Sequence, residues 1–170
     1  MKNKINVAVL GSTGYVGMEL VRILSNHENV KINFLGSEST ADQYLSNLEN
    51  TKKYKNLPKL QHNKSFDPQI SDYVFLALPH AISNEYVKKF YNKIKIIDLS
   101  ADFRLNNENE YKKNYGVDHT CSQYLDKFIY GLAEINRLKI SNTKYVAVPG
   151  CYPTSVLLPL IPLIKNNMIN

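Results

Sequence analysis

The sequence predicts an α/β protein built on a doubly wound, mostly parallel sheet. Three observations carry the prediction. Apolar runs of strand length recur along the chain, at 5–10, 31–35, 73–78, 94–99 and 145–148. Segments with helical spacing or polar composition separate them. A glycine-rich turn, GSTGYVG, follows the first run directly. Continuous apolar runs suit strands covered on both faces, as in a parallel sheet built from strand–helix–strand units.

The elements follow in order. Residues 5–10 (INVAVL) are rich in β-branched side chains and read as a buried strand. Residues 15–26 place Val16, Leu20, Ile23 and Leu24 near one face of an amphipathic helix. Residues 31–35 (KINFL) are a second strand, and the polar stretch 37–65 predicts loop with a short helix. The run 73–78 (YVFLAL) is a strand ended by Pro79, and 81–90 has helical character. Residues 94–99 (IKIIDL) are a strand, and SADFRLNNENEYKKNYG reads as a long polar connection. Residues 145–148 (YVAV) are a last strand, stopped by Pro149-Gly150, with an apolar helix beyond. Pro153 suits the first turn of that helix. Pro159 falls inside it, where a missing donor predicts a kink or break.

The totals narrow the function. A chain of 170 residues is the length of one domain, and a hydrophobic fraction of 44% supports a core. No apolar run approaches the ~20 residues of a membrane span, and the start shows no signal-peptide pattern. Two cysteines without metal-like spacing predict free thiols and no metal site. The net charge of +6 is spread over scattered lysines, which argues against a nucleic-acid surface. The expectation is a cytoplasmic protein that binds neither membrane nor nucleic acid.

Gly11, Gly14 and Gly17 stand at a strand–helix junction with the spacing G-x-x-G-x-x-G. The first permits a tight turn, the second lets backbone approach a pyrophosphate, and the third lets the helix pack on the strand. The helix N-terminus adds amide donors. The turn therefore predicts a Rossmann-like dinucleotide site. Glu38 stands where an acid would hold a ribose hydroxyl, while Ser37, Ser39 and Thr40 could bond a 2′-phosphate, so the chemistry leaves NAD and NADP open. Cys151 follows a strand and Pro149-Gly150 and opens a helix. A thiol there has more thiolate character and could hold an acyl group as a thioester beside a nicotinamide. A lone cysteine is otherwise a small core hydrophobe, and Cys121, which lacks such a setting, is given no role.

VAVLGSTGYVGMELVRIL, FLALPHAISNEYV, IIDLSADFRL, YGLAEIN and VAVPGCYPT occur in this order. Together they resemble the N-acetyl-gamma-glutamyl-phosphate reductases of arginine biosynthesis, with PGCYPT the most specific. The resemblance implies NADP-dependent reduction of an acyl phosphate to a semialdehyde, with Cys151 as nucleophile. It implies that Gly11, Ser12, Thr13, Gly14, Tyr15, Val16 and Gly17 form the pyrophosphate loop. Ser37 and Ser39 would lie near the adenosine ribose, and Leu78, Pro79 and His80 would border the cofactor. Ser100 and Arg104 would sit near the substrate; a structural ion pair is an equal reading of Arg104. The family usually has glycine in the loop after the second strand, and here Asp42 and Gln43 stand nearby. The resemblance further implies a dinucleotide domain over 1–148 and, from 149 to 170, the start of a second domain. On that reading the chain is a fragment that lacks the acid–base histidine and does not turn over alone; the whole enzyme would be a homo-oligomer. Helix 155–164 would then be under-covered. A lysine-pathway acyl-phosphate reductase and a non-catalytic dinucleotide-binding remnant are the alternatives.

Overall fold

The computed structural model describes residues 4–48, 54 and 56–169; part of the polar stretch 37–65 lies outside them. Seven strands form one sheet in the order β3-β2-β1-β4-β5-β7-β6, and every neighbouring pair runs parallel. The strands are β1 (Ile5–Leu10), β2 (Val30–Gly36), β3 (Leu60–Gln61), β4 (Tyr73–Leu76), β5 (Lys95–Asp98), β6 (Ile129–Tyr130) and β7 (Tyr145–Ala147). The helices are α1 (Tyr15–Ser25), α2 (Ser83–Phe90), α3 (Glu108–Tyr115), α4 (Ala133–Ser141) and α5 (Cys151–Lys165).

Strand β1 shows why its run is apolar throughout. Side chains alternate across a strand, so Ala8 and Leu10 join one core with Tyr86, Val87 and Phe90 of α2. Val7 and Val9 join the other with Val21 and Leu24 of α1. Both faces are covered, as a doubly wound sheet requires. The chain leaves β1 towards β2 and β3 on one side, then crosses to β4 and β5 on the other. A crevice opens at such a reversal, beyond the carboxyl ends of the strands.

Several expectations need correction. The sheet-facing residues of α1 are Gly17, Val21 and Leu24, whereas Val16 and Ile23 are exposed. The face is set by Gly17, because a glycine brings the helix closest to the strand at that point. The stretch after β5 is not all loop. Asn107 caps α3 through bonds from the amides of Asn109 and Glu110, and Gly116 ends it with φ 73. Only Tyr111 of α3 is buried, so the helix left no apolar periodicity to read. Strands β3 and β6, two residues each, and α4, which buries nothing and kinks at Asn136, escaped for the same reason. Helix α5 continues through Pro159 and Pro162. Proline's fixed φ is itself helical, so neither proline ends the helix, and each removes one backbone donor from it. No residue of α5 is buried, and Val156 and Ile164 stand exposed.

Candidate active site

Parallel strands present all their carboxyl ends to one edge of the sheet. The glycine turn follows β1, Leu78 and Pro79 follow β4, Ser100 and Arg104 follow β5, and Cys151 follows β7. From β1 to β7 is three strand spacings, about 14 Å. The site is assembled along that edge.

The turn is built from its glycines. Gly11 has φ 75, and a Cβ there would strike the carbonyl of Ala77, with its carbon at 2.9 Å. At Gly17 a Cβ would strike the Gly11 carbonyl oxygen and lie 2.9 Å from Ser12 Cα. Gly14 is different, since a Cβ there would meet nothing nearer than 3.6 Å, so its bareness serves the open side. Three amides of the turn are used internally. Gly11 N–H donates to Asn63 Oδ1 at 3.1 Å, Ser12 N–H to Gly36 O at 2.8 Å, and Gly14 N–H to Gly11 O at 3.2 Å. The first-turn amides of α1, at Tyr15, Val16 and Gly17, have no partner among the described residues. Those are the free donors of a helix N-terminus, and they attract anions.

A cleft of about 880 Å³ opens over this turn between β1 and β4. Thr13, Gly14, Tyr15 and Val16 form its floor with Gly11, and Leu78, Pro79 and Ile82 form an apolar wall. Ser37, Glu38, Ser39, Asn63 and Lys64 close the end beyond β2. Bare backbone at Gly14, free helix-start amides and this volume suit the pyrophosphate and ribose of a dinucleotide.

The other predicted residues take defined places. Ser12 is fully buried, its hydroxyl donating to Gly36 O at 2.9 Å, so its side chain ties the turn to β2 and does not reach the cleft. Gly17 is likewise buried against the turn. Ser37 Oγ lies 2.8 Å from both Thr13 Oγ1 and Thr40 Oγ1, a hydroxyl chain linking the ends of β1 and β2. Glu38 accepts from the Asn63 amide at 3.1 Å, and its other oxygen meets His62 Nδ1 at 3.1 Å. The hydrogen bond to His62 holds that carboxyl below its usual range. His80 accepts the Ala101 amide at Nδ1, 2.9 Å, and so clasps the loops after β4 and β5; it does not line the cleft.

Ser100 is 1% exposed, and its hydroxyl donates to Asp98 Oδ2 at 2.7 Å while accepting the Asp102 amide at 3.1 Å. It shapes the loop from beneath. Asp98 is fully buried, and burial pushes its carboxyl up to about 6 against the hydrogen bonds from Ser100. Asp102, also fully buried, accepts the amide of Ala81 at 2.9 Å and the Tyr111 hydroxyl at 3.1 Å. It thereby holds Ala81 at φ 67, a conformation that side chains disfavour. Arg104 matches neither reading of it in full. It forms no ion pair among the described residues, and donates to the carbonyls of Val148 at 2.8 Å and Leu99 at 3.1 Å. Its guanidinium thus straps β5 to β7 and brings Nη1 against Gly150, the residue before Cys151.

Cys151 is the first residue of α5 and is exposed. Gly150 caps the helix, its carbonyl accepting the Thr154 amide at 3.0 Å and hydroxyl at 2.9 Å. Cys121 is its opposite. It is fully buried, donates to Asn84 Oδ1 at 3.4 Å, and burial pushes its thiol up to about 12. Sequence reasoning missed Asn63, Asp98 and Asp102. The two acids carried a signal, carboxylates at the end of an apolar strand, whereas Asn63 carried none.

Residues 6–143 match the family described as semialdehyde dehydrogenase, NAD binding domain. The N-acetyl-gamma-glutamyl-phosphate reductase of Ehrlichia canis is 43% identical over 171 residues, covering 99% of this chain and 49% of that protein. That of Clostridium botulinum is 44% identical over 167 residues, covering 97% and 48%. A probable chloroplastic one from Oryza sativa is 41% identical over 166 residues, covering 98% and 40%. The chain spans about half the length of the curated bacterial relatives it matches. Among solved structures, aspartate semialdehyde dehydrogenase II of Vibrio cholerae shares the fold with a TM-score of 0.69 at 21% identity, over 96% of this chain and 47% of that one. Aspartate semialdehyde dehydrogenase of Candida albicans gives 0.61 at 18%, over 96% and 48%. The chain belongs to the semialdehyde dehydrogenase family, whose NAD-binding domain it carries.

Proposed function

We propose that this chain supplies the coenzyme site and the nucleophile for NADP-dependent reduction of N-acetyl-gamma-glutamyl phosphate to the semialdehyde, a step of arginine biosynthesis. The names of its relatives and the solved structure titled with NADP support the reading. The observation that carries it is the shared edge: a helix-start anion cradle after β1 and an exposed thiol after β7 of one parallel sheet.

The first-turn amides of α1 would hold the pyrophosphate, and the hydroxyls at Ser39 and Thr40 with Lys64 would meet the adenosine end. Bound there, NADPH supplies a hydride to an acyl carbon. The chain's own residues carry the acylation. Cys151 Sγ attacks the acyl carbonyl carbon, the C–O bond to phosphate breaks, and inorganic phosphate leaves with the electron pair, giving a thioester. Arg104 fixes the seat of the thiol by joining the Val148 and Leu99 carbonyls, and places a permanent positive charge beside the departing phosphate. The domain division at 148/149, a cytoplasmic location and a homo-oligomeric whole enzyme belong to the same proposal.

The test is acylation. Incubation with N-acetyl-gamma-glutamyl phosphate should give an intact-mass adduct that neutral hydroxylamine removes, and Cys151→Ser should give none. An adduct that survives in Cys151→Ser would refute the assignment.

A further inference from the structure

The exposed face of α5 shows nothing of what covers it, and the buried carboxylates behind Ser100 act inside the loop already described. The buried carboxamide of Asn63 reaches further, into the glycine turn itself. We propose that Asn63 is a positioning residue for coenzyme pyrophosphate, acting through the backbone of Gly11.

The geometry is specific. Asn63 comes from the turn after β3, remote in sequence from the glycine loop, yet its side chain is driven into the ends of β1 and β2. It is 3% exposed, which is unusual for an amide without a reason. Its Oδ1 accepts the Gly11 N–H at 3.1 Å, at the first glycine of the motif. The same oxygen sits against Gly36, so closely that any Cβ at residue 36 would collide with it, with Asn63 Cγ at 3.2 Å. Gly36 is in turn the residue whose carbonyl accepts both the amide and the hydroxyl of Ser12. One carboxamide therefore touches both sides of the anion turn. The residue is fixed from behind, since the backbone N–H of Asn63 donates to Glu38, which also meets His62.

This arrangement has a chemical consequence. With Gly11 N–H occupied, the anion is left to the amides at the start of α1. Without Asn63 the half-buried Gly11 N–H would lose its acceptor and be free to turn towards the anion or towards water. The amide oxygen is the fitting acceptor here, because a carboxylate would put a negative charge beside the phosphates. The inference rests on reading the cleft as the coenzyme site.

The experiment uses the whole 170-residue chain. ADP is titrated calorimetrically as the pyrophosphate probe, and exchange of the Gly11 amide is followed by NMR. Asn63→Ala should expose the Gly11 amide to exchange and weaken ADP about tenfold, at temperatures where the variant is fully folded. Asn63→Asp keeps an acceptor, so it should restore Gly11 protection while leaving ADP weak. Gly36→Ala is the second route. Its Cβ displaces the carboxamide, so it should reproduce the Asn63→Ala phenotype, and the double variant should be no worse than either single. Asn63→Ala with Gly11 protection and ADP affinity unchanged overturns the proposal and leaves the coenzyme reading standing. Additive loss in the double variant overturns it also. A wild-type chain that binds neither ADP nor NADPH overturns the coenzyme reading and the proposal with it, even where Asn63→Ala unprotects Gly11.

Discussion

Gly17→Ala sets two physical effects against each other with opposite signs. Gly17 lies inside α1, where replacing glycine by alanine should stabilise a helix by about 0.5–1 kcal/mol. The new methyl, however, would collide with the Gly11 carbonyl oxygen and lie 2.9 Å from the Gly11 carbon and from Ser12 Cα. All three obstacles are backbone, so no rotamer change relieves them. Relief requires α1 to move off the end of β1. Overpacking of that kind costs about 1–3 kcal/mol, occasionally more. The net expectation is a loss of about 1–2 kcal/mol, which for a chain of this size lowers Tm by roughly 2–8 °C. Gly14→Ala is the control. Its methyl would meet nothing nearer than 3.6 Å, so stability should hold within about 0.5 kcal/mol while ADP affinity falls. Thermal unfolding with and without ADP measures both. A Gly17→Ala chain that melts higher than wild type would refute the packing argument, because helix propensity would then outweigh the contact.

Other consequences are as direct. Asp98 folds with its carboxyl near 6 against an ordinary value near ~4. Between those values the folded chain holds a proton that the unfolded chain has lost. Stability from this group is therefore full below about pH 4 and falls by about 3 kcal/mol as pH rises to about 6. Burial lowers His119 and works the other way, costing stability on acidification. The measurement is thus the difference between wild type and Asp98→Asn in denaturant titrations at pH 4.5 and 7.5, where the substitution should gain relative to wild type at the higher pH; no change in the difference would refute it. Iodoacetamide on the native chain should label Cys151 alone, and Cys121 only after denaturation, as peptide mass spectrometry would read. Arg104→Met leaves two strand-end carbonyls without their donor and should cost about 1–3 kcal/mol. It should also slow acylation of Cys151, and an unchanged rate would remove Arg104 from the site.

The sequence revealed most where one physical constraint acted alone. β1 had to be apolar on both faces, so INVAVL was readable. The glycine turn and the helix start at Cys151 were readable because backbone geometry restricts residue type at both. What could not be read depended on long-range contacts. Val16 and Ile23 fit a helical face as well as Val21 does, and only the contact of Gly17 with Gly11 decides the rotation. Arg104, Ser100 and His80 were noticed as chemistry-bearing side chains. The structure spends them on the carbonyls of Leu99 and Val148, on Asp98, and on the Ala101 amide. Asn63 was invisible because its partner, Gly11, lies in a different part of the chain.

Every strand of the sheet pairs in parallel, and no parallel pairing is local. Val7 finds Tyr73, and Ile96 finds Tyr145. Such high contact order makes folding slow and gives assembly a sequence in time. On a ribosome, β1 to β4 emerge before β7 has been made. The cleft between β1 and β4 can form from those early strands, whereas the seat of Cys151 waits for β7 to dock. The cleft over the glycine turn is thus framed by strands that emerge early, and Cys151 takes its place only after β7, the last strand of this sheet to be synthesised, has docked.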